Sequence, residues 1–318
     1  MKYSTYSLPK RIAASWGVFA LLVTSASGQQ PALPAAPAAA AVVGPSELVE
    51  RSAAALSAHL SIVAKVRHRG RIYGRDVIGS GEYAQGPIHS RLLRYEIRMQ
   101  VGERIVNILQ VCDDRYLWIS RQLEHEPEIQ RVEIDRVLGA LERQVAAQPA
   151  GAFDAAHFHQ AIAIGGLGQL LASLRKDFQF YDATKSQLGD VPVYVVSGKW
   201  KSEALGGFAA SQPKAAKPGG TMLLRPHVPN RVMLFLGADD LFPYRVEFRS
   251  IDEGAGQGGV DGAPLKATDA TDELLLAMEL FEVQINVPLE ERLFQFAPGS
   301  RPYTDVTDLY LQKRSALP

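Results

Sequence analysis

The alternation of apolar and polar positions changes period several times along this chain, and each change marks an element. From Ser46, a residue suited to a helix N-cap, apolar side chains recur at helical spacing through Leu48, Ala53, Leu56 and Leu60. The period then drops to two. Leu60 to Arg67 and Asp76 to Ala84 read as strands, with Gly70 and Gly74 about the turn between them. Leu93 to Val101 alternates strictly, Gly102-Glu103 makes a tight turn, and Ile105 to Cys112 pairs back. Asp113-Asp114 turns again into Arg115 to Ser120. Two-residue connections join only antiparallel neighbours, so this half is a meander.

The middle of the chain is helical. Val137, Leu138, Leu141 and Val145 form a stripe within Asp135–Ala147, and Leu167, Leu170, Leu171 and Leu174 form another from about Gly166 to Lys176. Strands resume with Phe178 to Tyr181 and Pro192 to Trp200. Val232 to Leu236 turns at Asp239-Asp240 into Tyr244 to Arg249, and a long strand runs from Leu274 to Val287. A coda, Phe294-Gln295-Phe296-Ala297-Pro298, leads into Asp305 to Leu311. The pattern predicts an α+β fold: one strongly curved antiparallel sheet, an incomplete and unclosed barrel, with helices packed over its concave face.

The N-terminus changes the picture of where this fold sits. Lys2, Lys10 and Arg11 precede an apolar stretch from Ile12 to Ala26, and small residues follow at Ala26-Ser27-Gly28. That is the layout of a cleaved secretory signal over residues 1–28, too short to span a bilayer comfortably. Gln29 to Pro45 is Ala/Pro-rich and uncharged, a disordered leader. One domain then covers 46–312, interrupted by flexible loops near 203–220 and 253–264 and followed by a tail at 313–318. The expected location is periplasmic or secreted.

Composition narrows the function classes. Lys+Arg and Asp+Glu each number 34, so the formal net charge is zero, which argues against nucleic acid as a partner. The single cysteine, Cys112, excludes a disulfide scaffold and reads as a buried, inert thiol. Candidate chemistry is thin. Ser173-Leu174-Arg175-Lys176 lacks the companion motifs of a Ser-x-x-Lys enzyme, and Gly165-Gly166-Leu167-Gly168 lacks the Lys-Ser/Thr of a phosphate loop. His157 and His159 have no third ligand nearby, and the paired aspartates sit where hairpins need turn residues. Arg91, Arg94 and Arg98 read as the solvated face of a strand. No catalytic residue, metal or cofactor is expected, and the chain is read as non-enzymatic.

The surplus is apolar. Leu274 to Met278 with Leu280 and Phe281 is greasy on both faces, so the concave side of the sheet is either solid core or a pocket for an acyl chain. The helix after the leader, the long meander, the two-helix insertion, the Pro243 to Phe248 strand and the Phe294 to Pro298 coda followed by Asp305-Val306-Thr307-Asp308 together resemble the LolA-like lipoprotein carriers. The resemblance is architectural. It implies a periplasmic protein with an open barrel lidded by helices, whose hydrophobic cavity takes a lipid or lipoprotein acyl chain, with envelope membrane proteins as further partners. Ile97, Met99, Leu109, Trp118, Val195, Leu234, Phe248 and Phe281, taken from alternating strand positions, are the candidate cavity-lining residues. The chain is expected to be a monomer. The alternative is an envelope module of the same fold, with a solid interior and a structural or regulatory role in holding a protein partner.

Overall fold

The computed structural model describes residues 43–72, 74–123, 126–144, 155–204, 229–251, 272–309 and 311. The signal, the leader up to residue 42, the second expected loop and the tail lie outside them, as does most of the first loop; Pro45, expected to end the leader, begins the first helix. The chain opens with α1 (Pro45–Ser57), then five strands in hairpin order: β1 (Ile62–Ile72), β2 (Arg75–Gln85), β3 (Leu92–Val101), β4 (Arg104–Asp113) and β5 (Tyr116–Gln122). A sixth strand, β6 (Glu128–Glu133), leads into α2 (Ile134–Gln144) and α3 (Ala155–Asp177). The second meander comprises β7 (Phe178–Leu188), β8 (Val191–Trp200), β9 (Arg231–Gly237), β10 (Pro243–Ile251) and β11 (Asp272–Ile285), and β12 (Thr304–Asp305) closes the list.

All twelve strands form one sheet in the order β12-β6-β5-β4-β3-β2-β1-β11-β10-β9-β8-β7. Each meander is built from neighbours in sequence, and the two are sewn together where β11 returns to pair with β1. The sheet does not close: β7 is one edge, and the two-residue β12, parallel to β6, is the other. Bulges in β7, at the start of β10 and at two places in β11 bend the strands. At Gly81 a Cβ would lie 1.9 Å from the Glu96 carbonyl oxygen of β3, so only glycine allows the two backbones to coil so tightly.

Register assigns every side chain to a face. Ile62, Ala64 and Val66 of β1 face inward with Tyr83 of β2, Tyr95 and Ile97 of β3, Cys112 of β4 and Leu117 and Ile119 of β5. From the other meander come Val196, Leu234, Val246, Phe248, Leu276, Met278 and Leu280. The helices cover this side. α1 lies against α3, β7 and β8, and α3 reaches β3, β4 and β7. Ile162, Leu167, Leu170, Leu171 and Leu174 of α3 join the same buried cluster as the inner strand residues, so side chains fill the space where these layers meet.

Two local expectations differ from the structure. Gly44, not Ser46, caps α1; Pro45 occupies the first turn, where a missing N–H is harmless, and the Ser46 hydroxyl faces the Phe180 carbonyl at 3.5 Å. β6 lies on a stretch without a clean alternation and was not expected. The helical run expected from about Gly166 is present: α3 consists of two helices joined across a kink at Gly165 and Gly166, whose dihedrals are non-helical, Gly166 at φ +63°. The break turns the Leu167 N–H onto the Tyr83 hydroxyl at 3.1 Å, and the Tyr83 hydroxyl in turn donates to Gln85 Oε1. A Cβ on Gly166 would stand 2.2 Å from Gln85 Oε1, so this contact needs glycine twice over, for its φ and for the space.

Candidate functional site

Ile97, Met99, Leu234 and Phe248 face the helices. Ile97, Leu234 and Phe248 are buried in the packed inner layer, and Met99 borders it. The other four candidates lie on the opposite face of the sheet. Leu109 stands across from Glu96 and Ser120, and Val195 across from Thr184 and Phe235. Phe281 pairs with Lys65 and carries the Arg67 guanidinium 4.8 Å from its ring centre. Trp118 is buried on that outer face by the coda, with Phe296 and Tyr303 at centroid distances of 5.5 and 5.1 Å. The eight residues therefore do not line one surface. Alternation was legible in each strand, but a one-residue difference in register exchanges the faces, and only strand pairing fixes it.

Open apolar space lies at a rim of the sheet. A cleft of about 410 Å³ is lined by Leu60, Pro87, Leu92, Val287, Leu289 and Phe294, with Ser61, Asn286 and Glu291 as its polar atoms. It adjoins a second of about 310 Å³, with which it shares Leu92, Glu291 and Phe294, and which adds Asp113, Arg115, Tyr116 and Gln295. The volumes fall in the range of small-molecule sites. The pair forms a groove with an apolar end and a polar end.

The groove's walls are fixed by backbone hydrogen bonds. Asn286, at φ +59°, ends β11 by turning the chain out of the sheet. Its Oδ1 accepts from Leu60 N–H at 2.8 Å and its own N–H donates to the Ser61 carbonyl at 2.9 Å, while the Ser61 hydroxyl donates to Val287 O at 2.5 Å. Asn tolerates this left-handed conformation better than any other non-glycine residue. Opposite, Gly86 N–H donates to Leu92 O at 2.9 Å and closes the link from β2 to β3.

The third wall is a strap, residues 287–303, that leaves β11 and crosses the ends of β3 and β4. Phe294, 2% exposed, is its anchor in the groove. Downstream the strap is clamped to β6: Val306 N–H donates to Arg131 O, and Glu133 N–H donates to the Thr307 hydroxyl, each at 2.9 Å. Arg131 lies over the rings of Tyr116 and Tyr303 at 4.6 and 5.0 Å and pairs with Asp305 at 2.8 Å. Partial burial alone would raise the Asp305 carboxyl, but hydrogen bonds from Thr307 and the Arg131 charge outweigh it and lower it to about 2.

Other groups with chemical potential are silenced by their surroundings. Burial pushes the Cys112 thiol up to about 12, and burial likewise raises the phenols of Tyr83 and Tyr95, which stay neutral. Asp113 Oδ1 accepts the N–H groups of Arg115 and Tyr116, and Asp240 Oδ1 accepts the Phe242 N–H, so both aspartates make turns. His157 and His159 fall in the first half of α3, where side chains lie outside the described residues. Among the described residues no cluster of His, Cys, Asp and Glu could hold a metal, and no helix is long and apolar enough to cross a membrane. Leu60, Leu92, Val287, Leu289 and Phe294 were absent from the candidates because most sit in connections without periodicity. The Phe294 to Pro298 coda was the one signal that could have found the groove.

No family model and no curated protein matches the sequence. Among solved structures the chain is similar to a DUF1329 family protein from Desulfovibrio piger, at 8% identity and a TM-score of 0.31 over 79% of this chain and 95% of that one. It is also similar to MucB, at 10% identity and 0.36 over 80% and 62%, so the match spans less than two thirds of that protein. LprF from Mycobacterium bovis matches at 10% identity and 0.30 over 77% and 94%. The chain's own geometry carries the functional reading.

Proposed function

We propose that this chain is a non-enzymatic binding protein of the cell envelope that holds a lipid or lipoprotein acyl chain, working in the periplasm after removal of its signal. The observation that supports this is the rim groove: open apolar space beside a lip residue, Leu60, that is 66% exposed. An exposed leucine beside an apolar cleft is a cost in water that a bound chain removes, at about 0.8 kcal/mol per buried CH₂. The polar end, with Arg115 and Gln295, leaves a place for an ester or carboxylate head. Ile97, Met99, Leu234 and Phe248 are not among the residues that line the groove.

Leu60→Asp and Leu289→Asp place a charge in the groove at positions that are not core, so the fold is retained. Native mass spectrometry of the exported protein and titration with a fluorescent fatty acid are expected to show bound lipid in the wild type and at least a roughly tenfold weaker association in either variant. Equal binding by all three proteins, or no lipid in any, overturns the reading.

A protein-partner role has its own observation. β7 is an edge strand of eleven residues whose stretch from Thr184 to Gln187 is exposed, and an extended peptide adds to such an edge. Asp182 and Lys185 on β7 are the charges with which edges discourage indiscriminate pairing. A reproducible protein partner without lipid, lost on Thr184→Pro, would favour this second reading.

A further inference from the structure

The end of the sheet opposite the groove carries a surface of different character. There the tips of the β1–β2 and β3–β4 hairpins lie side by side, with Gly102 N–H donating to the Asp76 carbonyl at 3.2 Å. Arg69, Arg71, Arg75, Arg98 and Arg104 are all exposed on these strands, and none of the five makes an ion pair among the described residues. The next arginine along the face, Arg67, reaches Glu279 at 3.5 Å. Among the described residues Asp76, Glu103 and Glu273 are carboxylates at this end, with Glu126 in the next turn, while Asp272 is held by Arg249 at 2.9 Å. The five arginines outnumber these four described carboxylates.

Two large apolar side chains stand among these arginines. On the outer face, register sets Arg69 opposite Ile78, Ile78 opposite Gln100, and Gln100 opposite Ile105. Ile78 is 60% exposed and Ile105 42%. They are two strands apart, about 10 Å at the usual strand spacing. The adjacent row, Arg67-Ser80-Arg98-Asn107, puts Arg98 on the same face between the strands that carry the isoleucines.

We infer that these paired hairpin tips dock the protein onto an anionic lipid bilayer. Arginine heads meet the headgroup phosphates, their stems lie along apolar surface, and Ile78 and Ile105 enter the boundary between headgroup and acyl chain. A soluble polyanion or an acidic protein would satisfy the guanidiniums but leave both isoleucines in water, so the apolar pair selects the bilayer. Long-range attraction falls with ionic strength, and the isoleucine contribution does not. The inference is independent of the groove, which lies at the other end of the strands.

The test is sedimentation of the full chain with vesicles of phosphatidylglycerol and phosphatidylcholine, against vesicles of phosphatidylcholine alone. Binding to the anionic vesicles only is expected. It should weaken roughly tenfold or more in Arg69→Glu/Arg98→Glu, and weaken in Ile78→Ser/Ile105→Ser, with circular dichroism unchanged in both. Ile78→Trp gives a readout without loss of charge: its emission should shift to the blue on anionic vesicles. Absence of binding by the wild type overturns the inference. So does equal binding by the arginine variant, or a tryptophan that stays in water while a DNA oligonucleotide displaces the vesicles. Leu289→Asp should bind vesicles normally and the arginine variant should bind fatty acid normally, so each surface fails separately.

Discussion

The β1–β4 hairpins expose two ends, and the ends differ in how they are made. At the groove end the connections are long or irregular, residues 86–91 and the strap after Asn286, and they bury Phe294 while leaving apolar space beside it. At the tip end the turns are tight, Gly74 and Gly102 both at positive φ, and the described turn residues Gly74, Gly102 and Glu103 are exposed. Acidic turn residues collect at the first end: Asp113, Asp114, Asp190, Asp239, Asp240, Glu290 and Glu291. Arg69, Arg71, Arg75, Arg98 and Arg104 collect at the second, beside Asp76 and Glu103, although Arg91 and Arg115 stand at the first. Tight turns expose side chains to solvent and leave their chemistry free to vary, whereas a crossing strap can shelter a concave surface.

The comparison predicts a graded set of stability effects. The largest belongs to the strap. Phe294→Ala removes a buried aromatic ring from both clefts and should cost about 3–5 kcal/mol, read as a fall in the urea midpoint. A change under about 1 kcal/mol would mean that the strap is not what closes the groove.

A smaller effect concerns the clamp. The Asp305 carboxyl is lowered to about 2 by Thr307 and Arg131, so its contribution is fully present above the ordinary carboxylate range and is lost as pH falls through about 2. The difference in Tm between wild type and Asp305→Asn, measured by calorimetry, should be constant above about pH 4 and vanish toward about pH 2. A difference that grows on acidification would reverse the sign and remove Asp305 from the clamp. The smallest effect is at the tips. Arg69→Glu/Arg98→Glu should leave stability within about 0.5 kcal/mol, or raise it slightly by relieving repulsion among the arginines. A large loss would show that the tips are structural, like the strap.

Much of the fold was legible because hairpins are local. Asp113-Asp114, Gly102-Glu103 and Asp239-Asp240 were read as turns, and their neighbours pair as read. The open antiparallel sheet with helices on one face is also the architecture that the resemblance to LolA-like carriers implied. The groove was not legible. Its lining comes from four separate connections, and no window of sequence contains the contact between Leu60 and Asn286, 226 positions apart.

The exposed arginines illustrate the division most clearly. That Arg98 lies on a polar strand face follows from alternation alone, since side-chain direction is set by the backbone every second residue. That Arg69, Ile78 and Ile105 share the row beside it depends on register, which the pairing of β1 with β2, β2 with β3 and β3 with β4 decides. The sequence by itself determined the elements, the turns and the apolar surplus, because these rest on local dihedral preference and periodicity. Only the tertiary structure decided which face each residue takes, whether the interior is filled, and where open apolar space remains, because packing sums contacts between residues far apart in the chain.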